Sequence, residues 1–456
     1  MSLSVQFELS KEYLEKLKLA IEQDDGAFVR ETMEGVNPAD ISAVLEAFNA
    51  EESKYVLDQL DTWVGAQIIS DLDNDTRKEF LKVFGPEEIA KYIAIIDSDD
   101  GADILNELPV KDREKIIAGL DHEEKVSYLL DLLRYEEDTA GGLMAKELIK
   151  ANINWTVIQC IDEIRRQAGN VEKIYSMYVV DDRDKLLGRV SLKKIILSDD
   201  ATRIADIYSD DIISVQTFME DTEVASLMQK YDLVAVPVVN LQGKLVGRIT
   251  IDDIVDVITE SAEQERQIMS GISEDVEEDD NLWVLTRARL PWLIFGLFGG
   301  LLGAKVIGFF EADIRRITEI ALFIPLIMAT GGNVGIQSSS IIVQSLASRS
   351  VFEETTLRRL FKVLIVALVN GLVLGIVVLG ISYWILEWEN LKFAVVVSIA
   401  LFCVVLLASF MGTATPLLLN RFNINPALAS GPFITTANDI LGLGVYLVVV
   451  RLFYTI

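Results

Sequence analysis

Gly431-Pro432-Phe433-Ile434-Thr435-Thr436-Ala437-Asn438-Asp439-Ile440-Leu441-Gly442-Leu443-Gly444-Val445-Tyr446 sets the class of this chain. The segment carries one carboxylate, Asp439, and continues uncharged from Ile440 to Val450. A stretch this long and this apolar reads as a membrane span. An ionised Asp at membrane depth is costly, and it persists where it lines a polar cavity or meets a cation. The neighbouring residues offer hydroxyls, an amide and glycine-exposed carbonyls, but no Lys or Arg. The expected partner of Asp439 is therefore a positive ion. The bland alternative is an Asp hydrogen-bonded inside a helix bundle or placed at the membrane edge.

Working outward, five spans can be drawn, roughly Leu290–Phe310, Ile317–Leu346, Leu360–Leu386, Phe393–Leu419 and Gly431–Phe453. Each is long enough for a hydrocarbon core of about 30 Å. Arg287 and Arg289 precede the first span. Arg349, Arg358, Arg359 and Lys362 separate the second from the third, and Arg421 lies between the fourth and fifth. The positive-inside rule then places these loops and the N-terminal half in the cytoplasm and the C-terminus outside. Residues 1–20 are charged and amphipathic, with no apolar core of a signal peptide, which agrees with a cytoplasmic first domain. The expected location is the inner (plasma) membrane, crossed several times.

Charge divides the 456 residues sharply. From Leu285 onward there are eight acidic and twelve basic residues; the preceding part carries the remaining 62 acidic and 29 basic ones. An acidic half of this kind repels nucleic acid and anionic lipid surfaces and attracts cations, so cations and no nucleic acid are expected as its partners, and membrane lipid is expected only around the spans. Cys160 and Cys403 stand far apart and His122 is the single histidine, which rules out a disulfide framework and a zinc centre.

Residues 1–135 show helical spacing of apolar positions, as in Ile41, Val44, Leu45 and Phe48. A weak repeat relates residues 39–45, 66–72 and 102–108, each followed by a polar break and a second short helix. Repeated helix pairs predict a small superhelix. Residues 136–256 change character. Tyr178-Val179-Val180-Asp181 and Leu186-Leu187-Gly188-Arg189-Val190-Ser191 have counterparts in Val236-Pro237-Val238-Val239-Asn240 and Leu245-Val246-Gly247-Arg248-Ile249-Thr250. Two copies of strand, turn, Gly-Arg strand and helix resemble a tandem CBS pair. In that family a Thr/Ser-x-x-Asp at the last strand–helix junction holds a ribose. The resemblance assigns Thr250 and Asp253 of the second copy to an adenine nucleotide, ATP among the candidates, bound for regulation and not hydrolysed. The first copy has Ser191 followed by Lys194 instead. On local chemistry alone Thr250 equally caps the next helix. Residues 257–284 read as an acidic connecting helix.

The second span contains Thr330-Gly331-Gly332-Asn333-Val334-Gly335 followed by Gln337-Ser338-Ser339-Ser340. Glycine and polar residues at this depth predict a broken helix with freed carbonyls, or else a close-packing surface. Pro432 is expected to leave the Leu428 carbonyl without its helical donor. Carbonyls and Asp439 together form an oxygen-only environment, which suits a hard cation. Mg²⁺ dehydrates reluctantly and is held by one or two carboxylates through water, so one Asp per subunit, doubled in a dimer, fits it best. An enzyme fits poorly. Intramembrane aspartyl proteolysis needs two aspartates, and no Gly-x-x-x-x-Gly-Lys-Ser/Thr loop is present for triphosphate hydrolysis. The competing reading is a membrane-anchored CBS sensor of nucleotide or cation with no transport path.

The full order of parts resembles the MgtE family of magnesium transporters over nearly the whole chain. The motifs that carry the resemblance are Arg287-Ala288-Arg289-Leu290-Pro291-Trp292-Leu293, Gly331-Gly332-Asn333-Val334-Gly335-x-Gln337-Ser338, and Pro426-Ala427-Leu428 with Ser430-x-Pro432 and Asp439. It implies a multidomain fold. A cytoplasmic all-α superhelical domain (1–135) is followed by tandem α/β CBS domains (136–256), a connecting plug helix (257–284) and a five-helix transmembrane domain (285–456). It also implies a homodimer with hydrated Mg²⁺ on the dimer axis at Asp439, beside carbonyls near Gly431 and Thr435. Two positions depart from the family pattern: Asn425 stands where Asp often precedes Pro-Ala-Leu, and Gly431 where Asn is familiar. Finally, the resemblance implies feedback by cytosolic Mg²⁺ on acidic clusters. The matching carboxylates are Asp99 and Asp103, then Glu220, Asp221, Glu223 and Asp232, then Asp253, Asp256, Glu260 and Glu263.

Overall fold

The structure, a computed structural model, describes residues 9–72, 74–167, 174, 176–274, 276, 280–347, 356–385 and 391–454. Its contacts divide the chain into two units, residues 1–259 and 260–456. The first unit opens with short helices from Lys11–Glu22 to Glu123–Leu132. Local chemistry starts them. Asn37 caps Pro38–Leu45, whose first position is proline, and Asn49 forms a reciprocal capping box with Glu52 at the head of Ala50–Asp58. None of these helices is long enough to stand alone, so each must bury its apolar stripe on another. Pro38–Leu45 packs on Thr62–Asp71, that helix on Pro86–Ile93, and that one on Val110–Ala118. This stagger by two elements is the expected superhelix, and the three related segments fall on Pro38–Leu45, Thr62–Asp71 and Ser98–Glu107.

Two three-stranded sheets follow. In the first, β1 (Lys150–Asn152) runs parallel to β2 (Met177–Val180), which pairs antiparallel with β3 (Leu186–Val190). In the second, β4 (Val215–Gln216), β5 (Ala235–Val239) and β6 (Leu245–Thr250) repeat the same order and directions. The repeat extends to the edges: Ser209 bridges Arg189 of β3 as Ala145 bridges Arg248 of β6. The first module has its own core around Ile149, Val179 and Ile195. The second shares one continuous core with the helical domain, from Leu17 through Ile104 to Val236 and Ile254. That shared core fixes the two acidic elements on either side of it.

A helix runs directly from the end of β6, Ile251–Ser270, and stops at Gly271, whose φ of +83° suits glycine. It is shorter than the expected connecting segment. Among the described residues the second unit holds five helices long and apolar enough to cross a membrane: Leu282–Phe309, Glu319–Leu346, Arg358–Trp384, Leu391–Arg421 and Pro426–Tyr454. The first begins at Leu282, about two turns before the expected start, and Pro291 is accommodated inside it. Spans two, four and five form the interior around Ile320, Phe393, Val404 and Tyr446, with the Tyr446 hydroxyl donating to the Ile320 carbonyl at 2.9 Å.

The second span follows the packing alternative and not the broken helix. Glu319–Ala347 is one unbroken helix, so its glycines free no carbonyls. They serve instead as seats for neighbouring helices. A Cβ on Gly335 would overlap the Asn438 amide, and one on Gly412 of the fourth span would overlap the Gly335 carbonyl. Backbones come this close in a membrane only through residues without side chains. The fifth span departs from expectation. A 3-10 turn, Pro426–Ala429, precedes the helix Pro432–Tyr454, so Pro432 stands at the first helical position and interrupts nothing. The break in this segment lies at Ser430-Gly431.

Candidate ion site and acidic cluster

Asp439 sits half-buried in the fifth span, about 10 Å along the helix from Pro432 at ~1.5 Å per residue. Its Oδ1 lies 3.7 Å from where a Cβ on Gly332 would stand, so the glycine of the second span clears space beside the carboxylate. Thr435, one turn earlier, shares that side and meets the same Gly332 position at 3.4 Å. No described Lys or Arg forms an ion pair with Asp439. Next to it, Asn438 is buried between spans two and five with both amide atoms unpaired among the described residues.

Gly431 takes a φ of +53°, and a Cβ there would run into the Met269 carbonyl at the end of the connecting helix. Gly271 approaches Pro432 as closely. The end of the connecting helix therefore rests on the first turn of the fifth span. The Gly431 carbonyl accepts the Thr435 N–H at 3.1 Å and the Thr435 hydroxyl at 2.9 Å, so it points along the helix toward Thr435. Asn425 caps the 3-10 turn, its side chain accepting the Ala427 N–H at 2.9 Å, a task an Asp performs equally.

The acidic cluster belongs to the first unit. It gathers Asp99 and Asp103 of helix Ser98–Glu107 with Asp253 and Asp256 of the connecting helix. Asp99 is buried, and burial with the Asp100, Asp253, Asp97 and Glu147 carboxylates around it holds its carboxyl well above the ordinary range. Asp253 is pushed up to about 6, first by burial and then by Asp252 and Asp100, against the lowering effect of two bonds from Thr250. Asp103 presents surface to solvent, yet burial of its carboxyl and nearby Asp100 push it up to about 7. Asp256 is raised by burial, Asp100 and Asp252. Asp97, Asp100, Asp252 and Glu147 were not among the predicted ligands. Their signal was the density of acids in Asp97-Ser98-Asp99-Asp100-Gly101-Ala102-Asp103. Among the described residues no three carboxylate, His or Cys groups converge tightly enough to enclose a bare metal ion. Spread carboxylates of this kind fit a hydrated Mg²⁺ better than a dehydrated ion.

The other predicted acids lie elsewhere. The Asp221 N–H donates to the Asp138 carbonyl at 3.2 Å, and burial with Asp138 and Glu220 nearby raises the Asp221 carboxyl. Glu223 lies in the first turn of helix Asp221–Lys230, and Asp232 follows it in the left-handed region, φ +50°. Glu260 and Glu263 are exposed on the part of the connecting helix that belongs to the second unit. At the nucleotide position, Thr250 donates to Asp253 from its N–H at 3.0 Å and from its hydroxyl at 2.7 Å. Ser191 of the first module caps helix Leu192–Leu197 by accepting from the Lys194 N–H.

Three families match along the chain: an MgtE intracellular N domain over residues 36–138, CBS domains over 140–199 and 204–260, and MgtE, described as a divalent cation transporter, over 324–449. A protein of Thermus thermophilus named magnesium transporter MgtE is 33% identical over 96% of this chain and 97% of its own. An Enterococcus faecalis protein of the same name is 35% identical over 72% of each chain. The crystal structure of the cytosolic domain of the Mg²⁺ channel MgtE in complex with ATP superposes with a TM-score of 0.50 at 33% identity, covering 54% of this chain and 99% of that one. The soluble part of a magnesium transporter gives the same TM-score at 29% identity. The chain belongs to the MgtE family of magnesium transporters.

Proposed function

We propose that this chain carries Mg²⁺ across the plasma membrane through a homodimeric pore, with Asp439 of each subunit facing the ion. The observation that carries this reading is an ionisable carboxylate inside a membrane span, beside a glycine that keeps space open, with no described cation paired to it. Two such carboxylates across a dimer axis would hold Mg²⁺ through its water shell, as reluctant dehydration requires. The N-terminal domains would lie in the cytoplasm and the C-terminus outside. The test is Mg²⁺ flux into liposomes holding the purified protein. Asp439→Asn should cut flux about tenfold or more, the loss expected when ~1.4 kcal/mol of ion stabilisation disappears. Wild-type flux from the Asn variant would remove Asp439 from the ion path, and no flux from the unmodified protein would leave the membrane-anchored sensor.

Feedback is the second part of the reading. The carboxylates of Asp99, Asp103, Asp253 and Asp256 repel one another when bare. Bound Mg²⁺ would cancel that repulsion and favour a compact first unit. The connecting helix is continuous from Asp253 and Asp256 to Met269, and Met269 meets Gly431 at the head of the fifth span. The connecting helix would act as the plug, passing the state of those acids to the head of the fifth span. Glu220, Asp221, Glu223, Asp232, Glu260 and Glu263 would supply further weak Mg²⁺ positions. A regulatory, unhydrolysed ATP would use Thr250 and Asp253, which first have to release each other.

A further inference from the structure

Three cations lie inside the acidic cluster, each fixed by the fold. Lys125 is mostly covered, its side chain 11% exposed, with its ammonium 3.2 Å from Glu147 Oε1 and also bonded to the Ile96 carbonyl. The same ammonium acts on Asp97 and Asp100. Glu147 is held in place by the Ser98 N–H at 3.1 Å and the Ser98 hydroxyl at 2.6 Å, at the head of the acid-bearing helix. Arg77 is buried, 2.6 Å from Glu107, with its other nitrogen donating to the Ser70 and Leu72 carbonyls. Its charge reaches Asp103 and Asp100. Arg248, on β6, sits 3.5 Å from Asp97. A surface Lys would be free to swing away from an arriving ion. These three are held in place, Lys125 and Arg77 by backbone carbonyls and Arg248 by its burial.

We propose that Lys125, Arg77 and Arg248 are tethered competitors of Mg²⁺ that set the concentration at which the acidic cluster fills. This rests on the sensing reading above. Each tethered cation does two things of opposite sense. It offsets carboxylate repulsion in the Mg²⁺-free state, which stabilises the first unit. It also repels the arriving divalent ion, which raises the Mg²⁺ concentration needed for occupancy. A purely structural ion pair would do only the first.

The two effects separate in Lys125→Met, which keeps the length of the side chain and removes its charge. The assay uses the full-length protein in detergent, scoring Mg²⁺-dependent protease protection of the connecting helix and thermal unfolding without Mg²⁺. A +1 charge roughly 8 Å from a +2 ion in a water-like dielectric corresponds to about a fivefold change in binding. The expected result is a Mg²⁺ midpoint about fivefold lower together with a lower unfolding temperature in Mg²⁺-free buffer. Lys125→Arg should restore both. Arg248→Met gives an independent copy of the test if the first variant fails to fold. A midpoint that stays put or rises while stability falls overturns the inference and leaves sensing intact. An unmodified protein whose protection ignores Mg²⁺ overturns the sensing reading, and this inference with it.

Discussion

Proton competition tests the acidic cluster most directly. Asp253 at about 6 and Asp103 at about 7 both titrate within the range where the protein can be handled. Both are raised above the unfolded value of 3.8. A raised carboxyl favours the protonated folded form, so its contribution to stability is complete below the unfolded value and is lost as pH rises through the folded one. Without Mg²⁺, the first unit should therefore be less stable at pH 8 than at pH 5. Mg²⁺ binding runs the other way, because it needs the ionised groups. Between pH 8 and pH 6 the ionised fraction of Asp253 halves and that of Asp103 falls about tenfold, so a site using both should bind about twentyfold more weakly at pH 6. Asp97, Asp99, Asp100, Asp252, Asp256 and Glu147 face the same space, with Arg77, Lys125 and Arg248 as the opposing cations. Calorimetric Mg²⁺ titration in two buffers of different ionisation enthalpy measures both the affinity and the protons released. Near pH 6.5 about one proton should leave per Mg²⁺ from these two groups. An affinity flat within twofold from pH 8 to pH 6, with no proton release, would show that Mg²⁺ binds away from these carboxylates.

Other expectations are more local. Asp253→Ala should weaken ATP binding measured by calorimetry, since the variant loses the ribose-facing carboxylate; unchanged binding would mean that Thr250 and Asp253 serve only as a helix cap. Gly412→Ala should destabilise the membrane unit by about 1–3 kcal/mol, because its new methyl meets the Gly335 backbone, which cannot move aside. A thermal unfolding curve in detergent matching the unmodified protein would show that spans two and four do not pack so closely.

How much of this was legible in the sequence depends on the distance between partners. The spans, the paired modules and the position of Asp439 follow from local hydropathy and short motifs, and local reading found them. The second span left two readings open, because Thr330-Gly331-Gly332-Asn333-Val334-Gly335 contains the residues of a broken helix and those of a packing seam alike. What decides between them is whether Val404, Asn438 and Gly412 come close, and those residues lie far along the chain. The fifth span misled for a related reason. Pro432 disrupts a helix from within but starts one from its first position, and only the 3-10 turn before it tells the two apart. The cations of the acidic cluster were invisible for the same physical cause. Ser98 meets Glu147 across 49 residues and Asp97 meets Arg248 across 151. A sequence shows carboxylates in excess and leaves no mark where a distant Lys or Arg is buried among them. Counting acids alone therefore overstates the charge that Mg²⁺ meets. The side chains that determine how much remains are Lys125, Arg77 and Arg248, and their place among the acids depends entirely on where the fold carries them.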